Sequence, residues 1–431
     1  MAMELSHSAK EEVLKVLVQR VDACLRSLDM TTDEWHASFS DAQSGLLALP
    51  SRHEFEGRVN QLLQTLRLSH VGFEHVALDR CSIGRALSST YCPFELDGAP
   101  YWVFQDVHAN GPADRVGIRS GDVLLEVNQV PFRPPKHPVF RMPSTSSVLI
   151  RDSHGRGILK SVEIPGPRPN LLTRKKDTPP AFAQPQSVVA RQVEEDIGYL
   201  KLASFPGAIG IDVANEIDDA LVHLRTSNGL IIDVRGNGGG GVGFMRLLNC
   251  LSPRSYPVGT FVGSPRSFKL SMQEIDVFVL NQVPRFKFQL PLLAAHFFWK
   301  TAFCKIRHKH LHIRLETKGE GKLYPFHGRV VILTNQHTAS AAEMLVAAAK
   351  ENELATVVGL PTAGRVRSGA RAKLPHGFWL TLPQGAYSSA KGKNLDGAPI
   401  APHVLVPFDP TEARMGRDTQ LDRALEIVRS I

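Results

Sequence analysis

From about residue 193 onward the sequence exchanges short apolar runs for longer amphipathic ones, and that rhythm leaves few architectures open. IGYLKLASF, GLIIDVRG and RVVILTN have the length of buried strands, whereas IDVANEIDDALVHLRT, VGFMRLLNCL and AAEMLVAAAKEN carry apolar residues at helical spacing. Strands alternating with helices predict an α/β domain with a mostly parallel core, with its chemistry at the strand-to-helix junctions.

The rest of the chain follows other rules. Residues 1–80 read as helical: Val13, Leu14, Leu17, Val21, Leu25 and Leu28 recur at helical spacing, Thr31 to Trp35 opens a second helix, and a third runs from Arg52 to about Leu68. Residues 81–165 turn to short β-rich runs such as YWVFQDV and GDVLLEVNQVPF. Between them, Pro112-Ala113 starts a short helix, Gly117 ends it and Gly121-Asp122 turns into a strand. That order resembles the second half of a PDZ domain, a fold that adds an extended peptide as a strand at its sheet edge. Residues 166–192, rich in proline and basic residues, read as an extended linker, and 193–431 as the α/β core. An insertion at about 265–326 interrupts the core. Its LPLLAAHFFWKTAFCK segment reads as an amphipathic lid, a membrane-surface helix or a packed cap. His308, His310 and His312 alternate as on one strand face, but no carboxylate or cysteine joins them at a ligand spacing.

Composition narrows the function classes. At 431 residues and 43% hydrophobic, the chain supports two or three domains with ordinary cores. The net charge of +8 is scattered and framed by no nucleic-acid motif, so no nucleic-acid partner is expected. Five widely spaced cysteines form no C-x-x-C pair and argue against a disulfide framework or zinc site; neither metal nor cofactor is expected. No run approaches the ~20 apolar residues of a spanning helix. The start, MAMELSHSAKEEVLKVL, lacks a basic stretch, apolar run and cleavage site, so a cytoplasmic location is the expectation, or a periplasmic or secreted one if a leader was removed.

Two segments carry the chemistry. In GRVVILTNQHTASAAEMLVAAAK, Ser340 follows a buried strand at the mouth of a helix, where its hydroxyl is exposed on a rigid junction. The Ala341 N–H there can point at a developing oxyanion. Ser340 with Glu343 three residues later equally matches a capping box, so nucleophile and helix cap both stand on this segment alone. In IIDVRGNGGGG the strand runs into Gly238 to Gly241, where missing side chains let backbone approach a substrate carbonyl. Neither phosphate-loop nor dinucleotide spacing is satisfied.

Taken in order, the helical start, the PDZ-like module, D-V-R-G-N-G-G-G, T-A-S-A-A-E and V-V-G-x-x-T-A-G resemble the tail-specific, or C-terminal-processing, serine peptidases, whose relatives include the core of the tricorn protease. The resemblance implies a crotonase-like, ClpP-type core and a substrate-recruiting PDZ domain. It further implies Ser340 as nucleophile and an oxyanion hole from the N–H groups of Ala341 and of Gly239 or Gly240. One branch of that family uses a lysine after T-x-G as general base. Here Thr362-Ala363-Gly364 is followed by Arg365, and arginine stays protonated and accepts no proton. The tricorn-like branch uses histidine, an adjacent serine and a carboxylate, for which Ser69-His70 and Asp396 are the matching positions, with aspartate where that pattern has glutamate. An imidazole takes and returns a proton near neutrality, and a carboxylate orients it. His337, Lys373 and Lys391 are the rival bases.

Two functions follow. The first is a serine endopeptidase acting through an acyl-enzyme on protein or peptide substrates, with a homo-oligomer left open. The second is a non-catalytic protein on the same fold, binding peptides or apolar ligands as interphotoreceptor retinoid-binding modules do, with the Phe/Trp-rich insertion lining the site.

Overall fold

The computed structural model describes residues 5–77, 80–136, 139–166, 186–207, 209–263, 269–271, 273–319 and 326–430. The core is a six-stranded sheet in the order Val188–Glu194, Ile197–Leu202, Gly229–Asp233, Arg329–Thr334, Thr356–Gly359, Val404–Leu405, parallel except for its first pair. Alternation along the central strands divides their side chains between two layers. Leu230 and Ile232 join Phe244 and Leu345 under the helices Ile211–His223, Met245–Leu251 and Ala341–Glu351. Ile231, Val331 and Leu333 meet Ala424 of the C-terminal helix Thr419–Arg429 on the other side. Both faces being covered, these strands are continuous apolar runs, and that is why they were readable as buried strands. The first strand, Val188–Glu194, begins inside the stretch read as linker; residues 167–185 of that stretch lie outside the described residues.

A second sheet of four strands, ordered Ile275–Leu280, His310–Glu316, Pro257–Val262, Ala386–Ser389, carries the insertion. The helix Leu290–Ile306 rests on it, with Phe297 edge-on to Phe278 at 5.4 Å. His308 sits in the turn before the strand His310–Glu316 with φ 51°, so the three histidines do not share one strand face as their spacing implied.

The PDZ-like module is a sheet ordered Ser89–Leu96, Ala99–Val107, Val123–Val127, Ser144–Arg151, Gly157–Ile164, packed around Trp102, Phe104, Ile118 and Leu124. Its Gly121 turn is pressed against the C-terminal segment: a Cβ there would lie 2.4 Å from the Arg414 backbone nitrogen, and φ is +89°. Both conditions select glycine.

The N-terminal helices His7–Ser27, Asp33–Ala48 and Arg52–Gln64 do not close a core among themselves. Strand Gly72–His75 pairs with Phe378–Gln384, which pairs with Ser368–Lys373, and Leu374, Phe378, Leu380 and Leu382 fill the space beneath Leu14, Leu17, Phe55 and Leu63. Phe73 stacks on Phe378 with centroids 4.7 Å apart. The start of the chain is thereby tied to a hairpin some 300 residues later, and the segment 65–71 between helix and strand is held over the core.

Candidate active site

Ser340 stands where the buried strand Arg329–Thr334, after the loop 335–339, gives way to the helix Ala341–Glu351. Its φ of 55° and ψ of −121° are unusual for a residue with a side chain, a strained geometry that surrounding bonds must impose. They do so through Glu343. This fully buried carboxylate accepts from the N–H groups of Ser340 (3.1 Å), Arg365 (2.7 Å) and Gly364 (2.7 Å) and from the Thr362 hydroxyl (2.6 Å). Burial pushes its pKa up, and these four donors pull it back. The Ser340 N–H also donates to the Arg365 carbonyl at 3.0 Å, while the Ser340 carbonyl accepts from Glu343 and Met344. The Glu343 half of the capping box is thus formed, and it also clamps the segment 362–365 beneath Ser340.

The glycine run lies against the same residue. A Cβ on Gly239 would fall 2.6 Å from Ser340 Cβ and 2.9 Å from the Ala341 nitrogen, and its φ is +93°. Buried Asn237 braces the run: its side-chain N–H donates to the Leu202 carbonyl, its backbone carbonyl accepts from Ala339, and its Oδ1 accepts from Gly239 N–H at 2.8 Å. Gly239 therefore spends its N–H internally, while neither neighbour, Gly238 or Gly240, gives its N–H to an acceptor among the described residues. Ala341, first in its helix, has no intrahelical acceptor. The Asp233-Val234-Arg235 portion anchors the run from behind. Buried Arg235 bonds both Asp233 and Asp418, and although burial alone would raise it, Arg235 and Lys201 hold the Asp233 carboxyl far below its ordinary range.

Ser69, His70 and Asp396 form one chain. Asp396 Oδ1 accepts from the Ser69 hydroxyl at 2.6 Å, and His70 Nδ1 lies 3.1 Å from Ser69 Oγ. The hydroxyl has one proton. Once it serves Asp396, Nδ1 must be the donor to Ser69, which leaves Nε2 with a free lone pair. Burial lowers the His70 pKa, Asp396 raises it and Arg365 lowers it, so the imidazole is kept neutral below its ordinary titration range. Among the described residues, no hydrogen bond joins Ser340 Oγ to His70.

The segment 362–369 connects the two halves. Its Thr362, Gly364 and Arg365 bond Glu343 under Ser340; its Gly364 carbonyl accepts from Gly397 next to Asp396; its Gly369 would carry a Cβ 3.3 Å from His70 Cβ. Arg367 Nε donates to Asp396 Oδ2, a partner the sequence reading missed. Its signal was the spacing in R-V-R, since residues two apart in extended chain share a face and Arg365 lies within electrostatic reach of His70. The rival bases fall elsewhere. His337 is turned to the PDZ side, held at the Tyr91 backbone and near Asp106, with burial lowering its pKa. Lys373 and Lys391 are solvent-exposed, one at a strand end and one in a turn.

Residues 196–406 match the model of peptidase family S41 and residues 103–142 that of a PDZ domain. The carboxy-terminal processing protease CtpB of Bacillus subtilis is 23% identical over 295 residues, covering 65% of this chain and 49% of that protein. The chloroplastic carboxyl-terminal-processing peptidase 2 of Arabidopsis thaliana is 23% identical over 350 residues, covering 75% of this chain and 53% of that protein. The chain spans about half the length of these curated relatives. The solved photosystem II D1 C-terminal processing protease superposes over 98% of both chains with a TM-score of 0.53 at 14% identity, a likeness of fold. The cytoplasmic location expected from the N-terminal sequence is corrected by these relatives, one of them chloroplastic by name, which point away from the cytoplasm. Address segments leave no imprint on the packing of the domains they deliver, so the start of the chain was a poor guide. By family match and the order of its motifs, residues 196–406 form a domain of the peptidase family S41 type, with a PDZ domain match at residues 103–142 ahead of it.

Proposed function

We propose that this protein hydrolyses peptide bonds through an acyl-enzyme on Ser340, in the Ser-His-carboxylate manner of the tricorn-like branch and on a crotonase-like, ClpP-type core. Ser340 Oγ attacks the scissile carbonyl carbon as its proton passes to His70 Nε2. His70 then protonates the leaving amine, and a water deprotonated by the same imidazole releases the acyl group. Ser69 and Asp396 hold the Nδ1–H tautomer and stabilise the imidazolium. The oxyanion is received by Ala341 N–H and by the Gly239–Gly240 backbone, where the Gly240 N–H takes no acceptor among the described residues.

The observation that carries this reading is the continuous connection from Asp396 through Ser69 to His70, tied by 362–369 to the residue pair Ser340–Glu343. Catalytic hydrogen bonds that are unformed without substrate tighten in its presence, so the lack of a Ser340–His70 hydrogen bond among the described residues is compatible with this reading. Arg365 in the lysine position supports the histidine branch. The edge strand Ser89–Leu96, paired on one side only with Ala99–Val107, supports recruitment of an extended peptide by strand addition, with C-termini as the recruited class. The apolar-ligand alternative is not favoured: Phe298 and Trp299 of the insertion are 69% and 61% exposed and face solvent.

A fluorophosphonate probe should label wild type and not Ser340→Ala, and His70→Ala should lose cleavage of a peptide panel. Equal labelling of both proteins, with no cleavage by wild type, would falsify the assignment.

A further inference from the structure

The helix Leu290–Ile306 is predominantly apolar, with Lys300 and Lys305 its charged residues, a pattern close to that of buried helices, yet one side of it is bare. Its inner residues Leu290, Leu293 and Phe297 pack on the core, and Cys304 is buried. Its outer face shows Leu292 at 74%, Phe298 at 69%, Trp299 at 61% and Ile306 at 75% exposure, continued by Phe288 at 73% in the preceding turn. Isolated exposed apolar residues need no explanation, but a contiguous patch of large ones does.

The charges around the patch say what covers it. Residues 285–309 contain Arg285, Lys287, Lys300, Lys305, Arg307 and Lys309 and no Asp or Glu. Lys287 is paired with Asp212 (2.9 Å) and Lys300 with Asp276 (2.8 Å). Of the other four, none forms an ion pair within 4.0 Å among the described residues; Arg285 and Lys309 feel the fields of Asp218 and Asp276, Lys305 has no such partner, and Arg307 lies over the Phe303 ring at 4.4 Å. A second copy of the chain docking by the same face would oppose cation to cation. A flat aromatic and aliphatic surface rimmed by unpaired cations instead matches an anionic bilayer surface: the rings enter the headgroup boundary, and the Lys and Arg heads meet lipid phosphates.

We propose that the outer face of helix Leu290–Ile306 binds the surface of membranes containing anionic phospholipid and holds the cleft near membrane-delivered substrates. The helix lies in the interface and does not span it. The binding part of the inference is independent of catalysis, so a Ser340→Ala variant keeps it.

The test mixes the full chain with phosphatidylcholine vesicles, with and without phosphatidylglycerol, and reads cosedimentation and tryptophan emission. Trp35 and Trp102 are buried and Trp379 is partly so, which makes exposed Trp299 the reporter. Expected are binding to the anionic vesicles, weakened by salt, and a blue shift. Lys305→Gln and Arg307→Gln should each lower the partition coefficient about fivefold. The pair Phe298→Ser and Trp299→Ser should abolish cosedimentation without lowering Tm, because both side chains are already in water. Equal or absent binding to the two vesicle types, or unchanged binding by the serine pair, overturns the proposal. So does a dimer in sedimentation velocity that Trp299→Ser dissociates while vesicles bind nothing.

Discussion

Arg365 puts a positive charge within electrostatic reach of the His70 imidazole, the base of the proposed mechanism. Burial is the largest reason His70 titrates low; Asp396 opposes it and Arg365 adds to it. Removing the guanidinium in Arg365→Ala takes away a charge that disfavours imidazolium, so the His70 pKa rises. The base form is then lost at higher pH as the solution is acidified, and the acid limb of kcat/KM moves upward; a pH–rate profile of both proteins measures it. The same residue shows the limit of reading types in a string. Its identity excluded the lysine mechanism, but its backbone does as much as its charge, since its carbonyl accepts the Ser340 N–H and its own N–H meets Glu343. Gly239 is a parallel case. Its closeness to Ser340 was legible from the glycine run, whereas the loss of its N–H to Asn237 was not, because a side chain two residues away chooses among acceptors only in the folded turn.

Among elements, the junction of strand, loop and helix at Ser340 depends on a carboxylate that the sequence offered only as a cap. All four of its acceptor positions face donors, three of them backbone N–H groups. Glu343→Gln puts an amide N–H against one pair of them, and either pair contains a backbone N–H that cannot accept it. Losing charge-assisted bonds of this kind costs about 1.5–3 kcal/mol each in part, so a Tm drop of several degrees and a fall in kcat larger than any change in KM are expected from calorimetry and kinetics. The histidine half rests on the small sheet of Gly72–His75, Phe378–Gln384 and Ser368–Lys373. Phe378 is fully buried there against Phe73 and Phe55. Phe378→Ala should destabilise by about 3–5 kcal/mol in denaturant titration and slow turnover although it touches no reacting atom, because the strand following His70 loses its partner. The helices of residues 1–80 were legible from their spacing. Their completion by a hairpin near the other end of the chain was not, since periodicity shows which face is apolar but not what covers it.

At the scale of the molecule, the PDZ sheet and the core are joined by hydrogen bonds that reach the serine loop. Asp106 at the end of strand Ala99–Val107 is buried and accepts from Asn335 Nδ2 at 2.8 Å and from the Thr90 hydroxyl. Asn335 Oδ1 in turn accepts from Gly236 and His337 N–H, so one side chain spans the PDZ module, the glycine loop and the serine loop. Asp106→Ala strands a buried amide, at a cost of about 1–3 kcal/mol. Calorimetry should then resolve the merged unfolding of PDZ and core into two transitions, and kcat/KM should fall on substrates too short to reach the PDZ edge. By itself the sequence determined what local chemistry can encode: buried strands, amphipathic helices, a serine at a strand-to-helix junction, and glycines where backbone must come close. Only the tertiary structure decided the partners, joining Ser69 to Asp396 across 327 positions and setting Arg367 on the same carboxylate. The physical reason is range: dihedral preference and periodicity act over a few residues, whereas a hydrogen bond between distant segments exists only once the core has brought them within 3 Å or so.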